Sequence, residues 1–126
     1  MSYSRGRVLV TDDDRGIVAL IADLLEDEGY VVQKAYDGQD ALNQAIDSPP
    51  DLILLDLHMP VMDGWACYRS LRQRPETVDV PIIVMSSDGL QAAVDAGLEV
   101  EHFLRKPFRI ADLVSCVRRY TRSHTG

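Results

Sequence analysis

The sequence predicts a doubly wound α/β domain, a parallel sheet with helices on both sides. Three observations carry that reading. Short apolar runs of strand length recur along the 126 residues, separated by stretches with apolar residues three and four apart, the pattern of amphipathic helices. The runs Leu52-Ile53-Leu54-Leu55 and Pro81-Ile82-Ile83-Val84-Met85 are apolar throughout, as strands covered on both faces are. Strand and helix alternate without repeat, linker or low-complexity segment, which favours parallel strands joined by right-handed crossovers.

Arg7-Val8-Leu9-Val10-Thr11 reads as the first strand and ends in Asp12-Asp13-Asp14. Ile17, Leu20, Ile21, Leu24 and Leu25 then line one face of a helix, with Gly29 suited to its left-handed C-terminal cap. Residues 30–35 are a less apolar strand, placed at an edge. Asp37-Gly38 makes a turn, Ala41, Leu42, Ala45 and Ile46 mark a second helix, and Ser48-Pro49-Pro50 stops it. The third strand runs into Asp56 and a loop punctuated by Pro60 and Gly64. A third helix over 65–72 turns Trp65, Tyr68 and Leu71 inward. The fourth strand ends at Ser86-Ser87-Asp88, and a weak fourth helix is expected over 90–96, ended by Gly97. Residues 102–105 form a short fifth strand, Lys106-Pro107 breaks it, and Ile110, Leu113, Val114 and Val117 define a closing helix. One domain over 1–126 follows, with its body at 7–120 and a tail or linker stub at 121–126.

Composition narrows the function. A net charge of −7 argues against nucleic-acid binding by bulk electrostatics. The charge is uneven: six basic residues and one acid lie from Arg105 onward, against 7 basic and 19 acidic before it. No apolar run approaches the roughly 20 residues that span a bilayer, and the N-terminus lacks a signal-peptide core, so the expected location is the cytoplasm without membrane insertion. Cys67 and Cys116 lack metal-ligand spacing and fall on helices expected on opposite faces of the sheet; both read as reduced packing residues.

The chemistry gathers at strand ends. Asp12 and Asp13 follow strand 1, Asp56 strand 3, Ser86 strand 4 and Lys106 strand 5. In a flavodoxin-like order 2-1-3-4-5 with five flanking helices, these groups face one crevice at the topological switch point. Two carboxylates 4 Å apart repel by about 4 kcal/mol at an effective dielectric near 20, so either their pKa values rise or a cation joins them. Oxygen ligands favour a hard divalent ion such as magnesium. Capping of the first helix accounts for Asp14 but not for Asp12, Asp13, Asp56 and Lys106 together.

With these residues in order, the chain resembles response-regulator receiver domains of the single-domain chemotaxis type, from Val8 to about Tyr120. Four motifs carry the resemblance: Val-Thr-Asp-Asp-Asp, Leu-Leu-Asp-Leu-His-Met-Pro-Val-Met-Asp-Gly around Asp56, Pro-Ile-Ile-Val-Met-Ser ending at Ser86, and Phe-Leu-Arg-Lys-Pro-Phe around Lys106. The resemblance implies that Asp56 accepts a phosphoryl group from the phosphohistidine of a sensor histidine kinase or phosphotransfer protein. Asp13 would bind magnesium directly and Asp12 largely through water, with Asp56 and the backbone carbonyl of His58 as further ligands. Lys106 would pair with a phosphoryl oxygen, and the Lys106-Pro107 bond is expected to be cis. Ser86 and Phe103 occupy the switch positions, and the responding surface is the fourth predicted helix, fifth strand and closing helix. His58 and Asp88 would tune hydrolysis of the phosphoryl group.

The segment from Ser86 to Lys106 is shorter than is common in that family, and Gly89 weakens the fourth predicted helix further. Accordingly the sequence points to a phosphoacceptor switch in a two-component phosphorelay, with self-phosphorylation and autodephosphorylation as its only catalysis. The alternative is a phosphorylation-independent pseudo-receiver that serves as an interaction module. A haloacid-dehalogenase-like phosphatase is disfavoured, because there the nucleophile follows the first strand as Asp-x-Asp. The downstream target and oligomeric state are not readable from the sequence.

Overall fold

The computed structural model describes residues 5–58, 64–87 and 102–125, with side chains as far as Thr121. Its elements are β1 (Arg7–Thr11), α1 (Arg15–Asp27), β2 (Val31–Ala35), α2 (Gly38–Asp47), β3 (Leu52–Asp56), α3 (Gly64–Gln73), β4 (Ile82–Ser86), β5 (His102–Arg105) and α4 (Ile110–Thr125). The five strands are all parallel and ordered β2-β1-β3-β4-β5, as the alternation required.

Because successive strand residues point to opposite faces, the sheet sorts its own side chains into two layers. Leu9, Ile53, Leu55 and Val84 pack with Ala41, Ala45, Cys67 and Leu71 of α2 and α3. Val8, Val10, Leu54, Ile83 and Met85 pack with Ile21 and Leu25 of α1 and Leu113 and Val117 of α4. β3 and β4 are buried at every position, which is why they read as unbroken apolar runs. β2 lies at the edge, where Gln44 of α2 donates to the carbonyl of Lys34 at 2.8 Å and fills an acceptor there. Cys67 and Cys116 are free and belong to opposite layers.

Local chemistry sets the element ends. The Asp14 carboxylate accepts from the amides of Gly16 and Ile17 and caps α1. The Asp37 carboxylate does the same for α2 through Asp40 at 2.8 Å. After α1 the chain turns at Gly29, whose φ of +98° is costly for any residue with a Cβ.

The predicted helix over 90–96, with Asp88, lies outside the described residues, among which four helices are seen. α4 continues past Tyr120, to Thr125. Thr121 is buried, donates to the carbonyl of Val117 at 2.7 Å, and shares a 3.1 Å hydrogen bond with the Tyr30 hydroxyl. Arg118 adds a 3.0 Å ion pair with Glu28. A polar sequence near the end of a helix looks like a tail, yet here its hydroxyl is spent inside the fold.

Candidate functional site

The carboxyl ends of β1, β3, β4 and β5 form one rim. β1 and β3 are neighbours, but the helices that follow them cover opposite faces, so the chain leaves an opening between their ends. Asp12 and Asp56 sit in that opening, 1% and 4% exposed, and Asp13 is exposed beside them. Carboxylate oxygens of Asp12, Asp13 and Asp56 all lie within 4.8 Å of one another. Burying two carboxylates this way is costly unless a cation accompanies them.

Lys106 supplies one positive charge. Its Nζ lies 2.6 Å from Asp12 Oδ2 and 3.4 Å from Asp56 Oδ1. The Lys106 amide donates to the carbonyl of Ser86 at 3.0 Å, which ties the start of the lysine arm to the end of β4, and the Lys106-Pro107 peptide is cis. The other Asp12 oxygen accepts from the Asp14 amide at 3.0 Å.

The electrostatics leave Asp56 poorly compensated. Burial raises its pKa above the usual carboxylate value, and the charge of Asp12 raises it further; Lys106 and a hydrogen bond from the His58 amide oppose the shift without cancelling it. Burial lowers the Lys106 pKa, but the hydrogen bond and charge of Asp12, followed by those of Asp56, outweigh it and the net shift is upward. The ammonium therefore stays charged, held closer to Asp12 than to Asp56.

Of the residues singled out from sequence, Asp12, Asp13, Asp56 and Lys106 are brought together. Ser86 is buried at the end of β4, in register with Arg105 of β5. Phe103 stands opposite Val84 and packs, partly buried, against the layer under α2 and α3. His58 is exposed, and its amide donates to the Asp56 carboxylate.

Two features were not legible in the sequence. Spacing gives no hint that Lys106 pairs with Asp12, since 94 residues separate them. Gly64 does more than punctuate a loop: its amide donates to the Leu57 carbonyl at 3.0 Å, and a Cβ built on it would overlap the Asp56 carbonyl oxygen and Leu57 Cα. The first turn of α3 thus lies directly on the backbone that carries Asp56. Beside Lys106, a cleft of about 410 Å³ runs between α1 and the turn after β5, walled by Ile17, Leu20, Leu24, Phe108 and Ile110.

Oxygen-only donors close enough to share one ion suit a hard divalent cation, and the rim could hold one with Asp12, Asp13 and Asp56. A buried carboxylate with a raised pKa, next to a lysine, can also act as a nucleophile toward a phosphoryl group.

Comparison with known proteins agrees with this geometry. Residues 8–118 match the family model described as response regulator receiver domain. The chain is 40% identical over 124 residues to the transcriptional regulatory protein PrrA of Mycobacterium leprae, covering 94% of this chain and 51% of that protein. It is 37% identical over 118 residues to the transcriptional regulatory protein CpxR of Escherichia coli, covering 92% and 49%. The chain thus spans about half the length of the curated relatives it matches. Among solved structures, the chemotaxis response regulator CheY4 of Vibrio cholerae superposes with a TM-score of 0.83 at 28% identity, covering 90% of this chain and 97% of that one. The receiver domain of the sensor histidine kinase PA1611 of Pseudomonas aeruginosa, which holds a magnesium ion in its active-site cleft, gives 0.85 at 28% identity over 93% and 98%.

Proposed function

Because the chain belongs to the response-regulator receiver domain family, the receiver of two-component systems, we propose that it is a phosphoacceptor switch with Asp56 as the acceptor. The convergence of Lys106 with Asp12, Asp13 and Asp56 at one sheet edge carries this reading. In the forward step an Asp56 carboxylate oxygen attacks the phosphorus of a phosphohistidine. The O–P bond forms, the P–N bond breaks, and its electron pair stays on the imidazole nitrogen. Asp12, Asp13 and Asp56, with the His58 carbonyl, are the groups that would hold magnesium. When bound, that ion neutralises charge on the phosphoryl oxygens.

The protein's own residues do the remaining work. The His58 amide already orients the Asp56 carboxylate. Lys106 exchanges its contacts with the carboxylates for a phosphoryl oxygen, which carries more charge than the carboxylate did. Ser86 donates its hydroxyl to another phosphoryl oxygen, and Phe103, on the adjacent strand, repacks in response. This pair is the bistable element that links the site to the surface of β5 and α4. His58 and Asp88 govern access of water to the phosphoryl group.

The donor is a histidine kinase or phosphotransfer protein, and the apolar cleft beside Lys106 gives it a surface to seat on. No described helix is long and apolar enough to cross a membrane, and the proposed location is the cytoplasm. Catalysis is confined to the domain's own phosphorylation and dephosphorylation, and it does not bind nucleic acid directly.

Incubation with acetyl phosphate and magnesium, followed by intact mass, tests the assignment. The native chain is expected to gain one phosphoryl group and Asp56→Asn none. A native chain that takes up nothing would be a pseudo-receiver, and Asp56-dependent multiple turnover of phosphoesters would make it an enzyme.

A further inference from the structure

The rim that must admit a phosphoryl donor is acidic. Asp12, Asp13 and Asp56 cluster there, Asp14 is exposed beside them, and the charge of Lys106 is already engaged by Asp12 and Asp56. A phosphoryl donor is itself an anion, so its approach meets repulsion.

Arg15 stands one residue beyond this acidic run, in the first turn of α1. A cation there opposes the helix dipole, which favours acids at that end. Despite three aspartates immediately before it, Arg15 makes no ion pair among the described residues. Its guanidinium carbon instead lies 4.0 Å above the centre of the Tyr36 ring. Stacking of this kind occupies the face of the guanidinium and leaves its N–H edge open, and that edge is the part that grips carboxylate and phosphate oxygens in pairs. Tyr36 is itself fixed against the core layer under α1 and α4.

Resting on the phosphoacceptor reading above, we infer that Arg15, parked on Tyr36 with its donor edge unpaired among the described residues, receives the negative charge of the incoming phosphoryl donor at the rim. It is a positioning residue that acts on donor capture rather than on the bond exchange at phosphorus. In that exchange, with acetyl phosphate, the O–P bond to Asp56 forms as the bond to acetate breaks, and acetate leaves with the electron pair.

The test compares the native chain with Arg15→Gln, Arg15→Lys and Tyr36→Leu, following acetyl phosphate labelling by intact mass at saturating magnesium. Arg15→Gln is expected to lower the second-order labelling rate roughly two- to fivefold at low ionic strength and to approach the native rate near about 0.5 M salt, where a single exposed charge is screened. Arg15→Lys keeps the charge but loses the paired donors and should fall between. Tyr36→Leu should lower the rate while Arg15 is intact, because the arm is no longer held. Phosphoramidate, which carries less negative charge than acetyl phosphate, should show a smaller effect. A labelled native chain with Arg15→Gln equal to it at every salt concentration overturns this inference alone. A native chain that does not label overturns the phosphoacceptor reading with it.

Discussion

Replacing Asp56 by Asn should make the protein more stable while abolishing its labelling. Asp56 is 4% exposed, and one of its oxygens lies within 4.8 Å of one of Asp12's. At an effective dielectric near 20, a separation at that limit corresponds to about 3.5 kcal/mol of repulsion, and Lys106 at 3.4 Å returns about 5 kcal/mol. These terms largely offset, particularly as Lys106 is shared with Asp12 at 2.6 Å. The uncompensated part is the burial of the charge itself, the leading cause of the raised pKa. Asn keeps an oxygen for the His58 amide and removes the charge, so the expected gain is about 1–3 kcal/mol at neutral pH without metal.

The sign follows from linkage. The unfolded carboxyl titrates near its ordinary value of 3.8, whereas the folded one titrates higher. As pH rises through 3.8 the unfolded chain loses its proton first, so native stability declines until pH passes the folded pKa, and the penalty is fully present above it. Urea unfolding of both chains from pH 4 to 8, in chelator and in magnesium, reads this directly. The Asn advantage should grow from about pH 4 and then level off, and magnesium should stabilise the native chain more than the variant. An Asn variant less stable than the native chain at pH 7 in chelator would refute the reasoning.

Three further outcomes follow from the packing. Gly64→Ala should destabilise by about 2–3 kcal/mol in urea unfolding, because its Cβ would meet backbone that cannot rotate away; a change under about 0.5 kcal/mol would mean the loop yields freely. Thr11→Val should stabilise by about 1 kcal/mol, since the buried Thr11 hydroxyl has no hydrogen-bond partner among the described residues, and a clear loss in thermal melts would show that the hydroxyl is satisfied after all. Cys67 is fully buried, and burial, with the charge of Asp37, pushes its thiol up to about 12. It should therefore alkylate only on unfolding, while the half-buried Cys116 reacts in the native protein; equal rates by peptide mass mapping would contradict this.

What the sequence determined by itself was periodic or contiguous. The unbroken apolar runs of β3 and β4 and the three-and-four spacing of α1 announce a parallel sheet between helices, because burial on two faces or one leaves a mark on neighbouring residues. The edge position of β2, the cap at Asp14 and the crowd of acids at strand ends were legible for the same local reason. The tertiary structure alone decided which charges touch. Lys106 chooses Asp12 over Asp56, Thr121 reaches Tyr30 across 91 residues, and Arg15 turns to an aromatic ring although three aspartates precede it. Such choices depend on distance and desolvation between segments remote in the chain, and composition or spacing encodes neither.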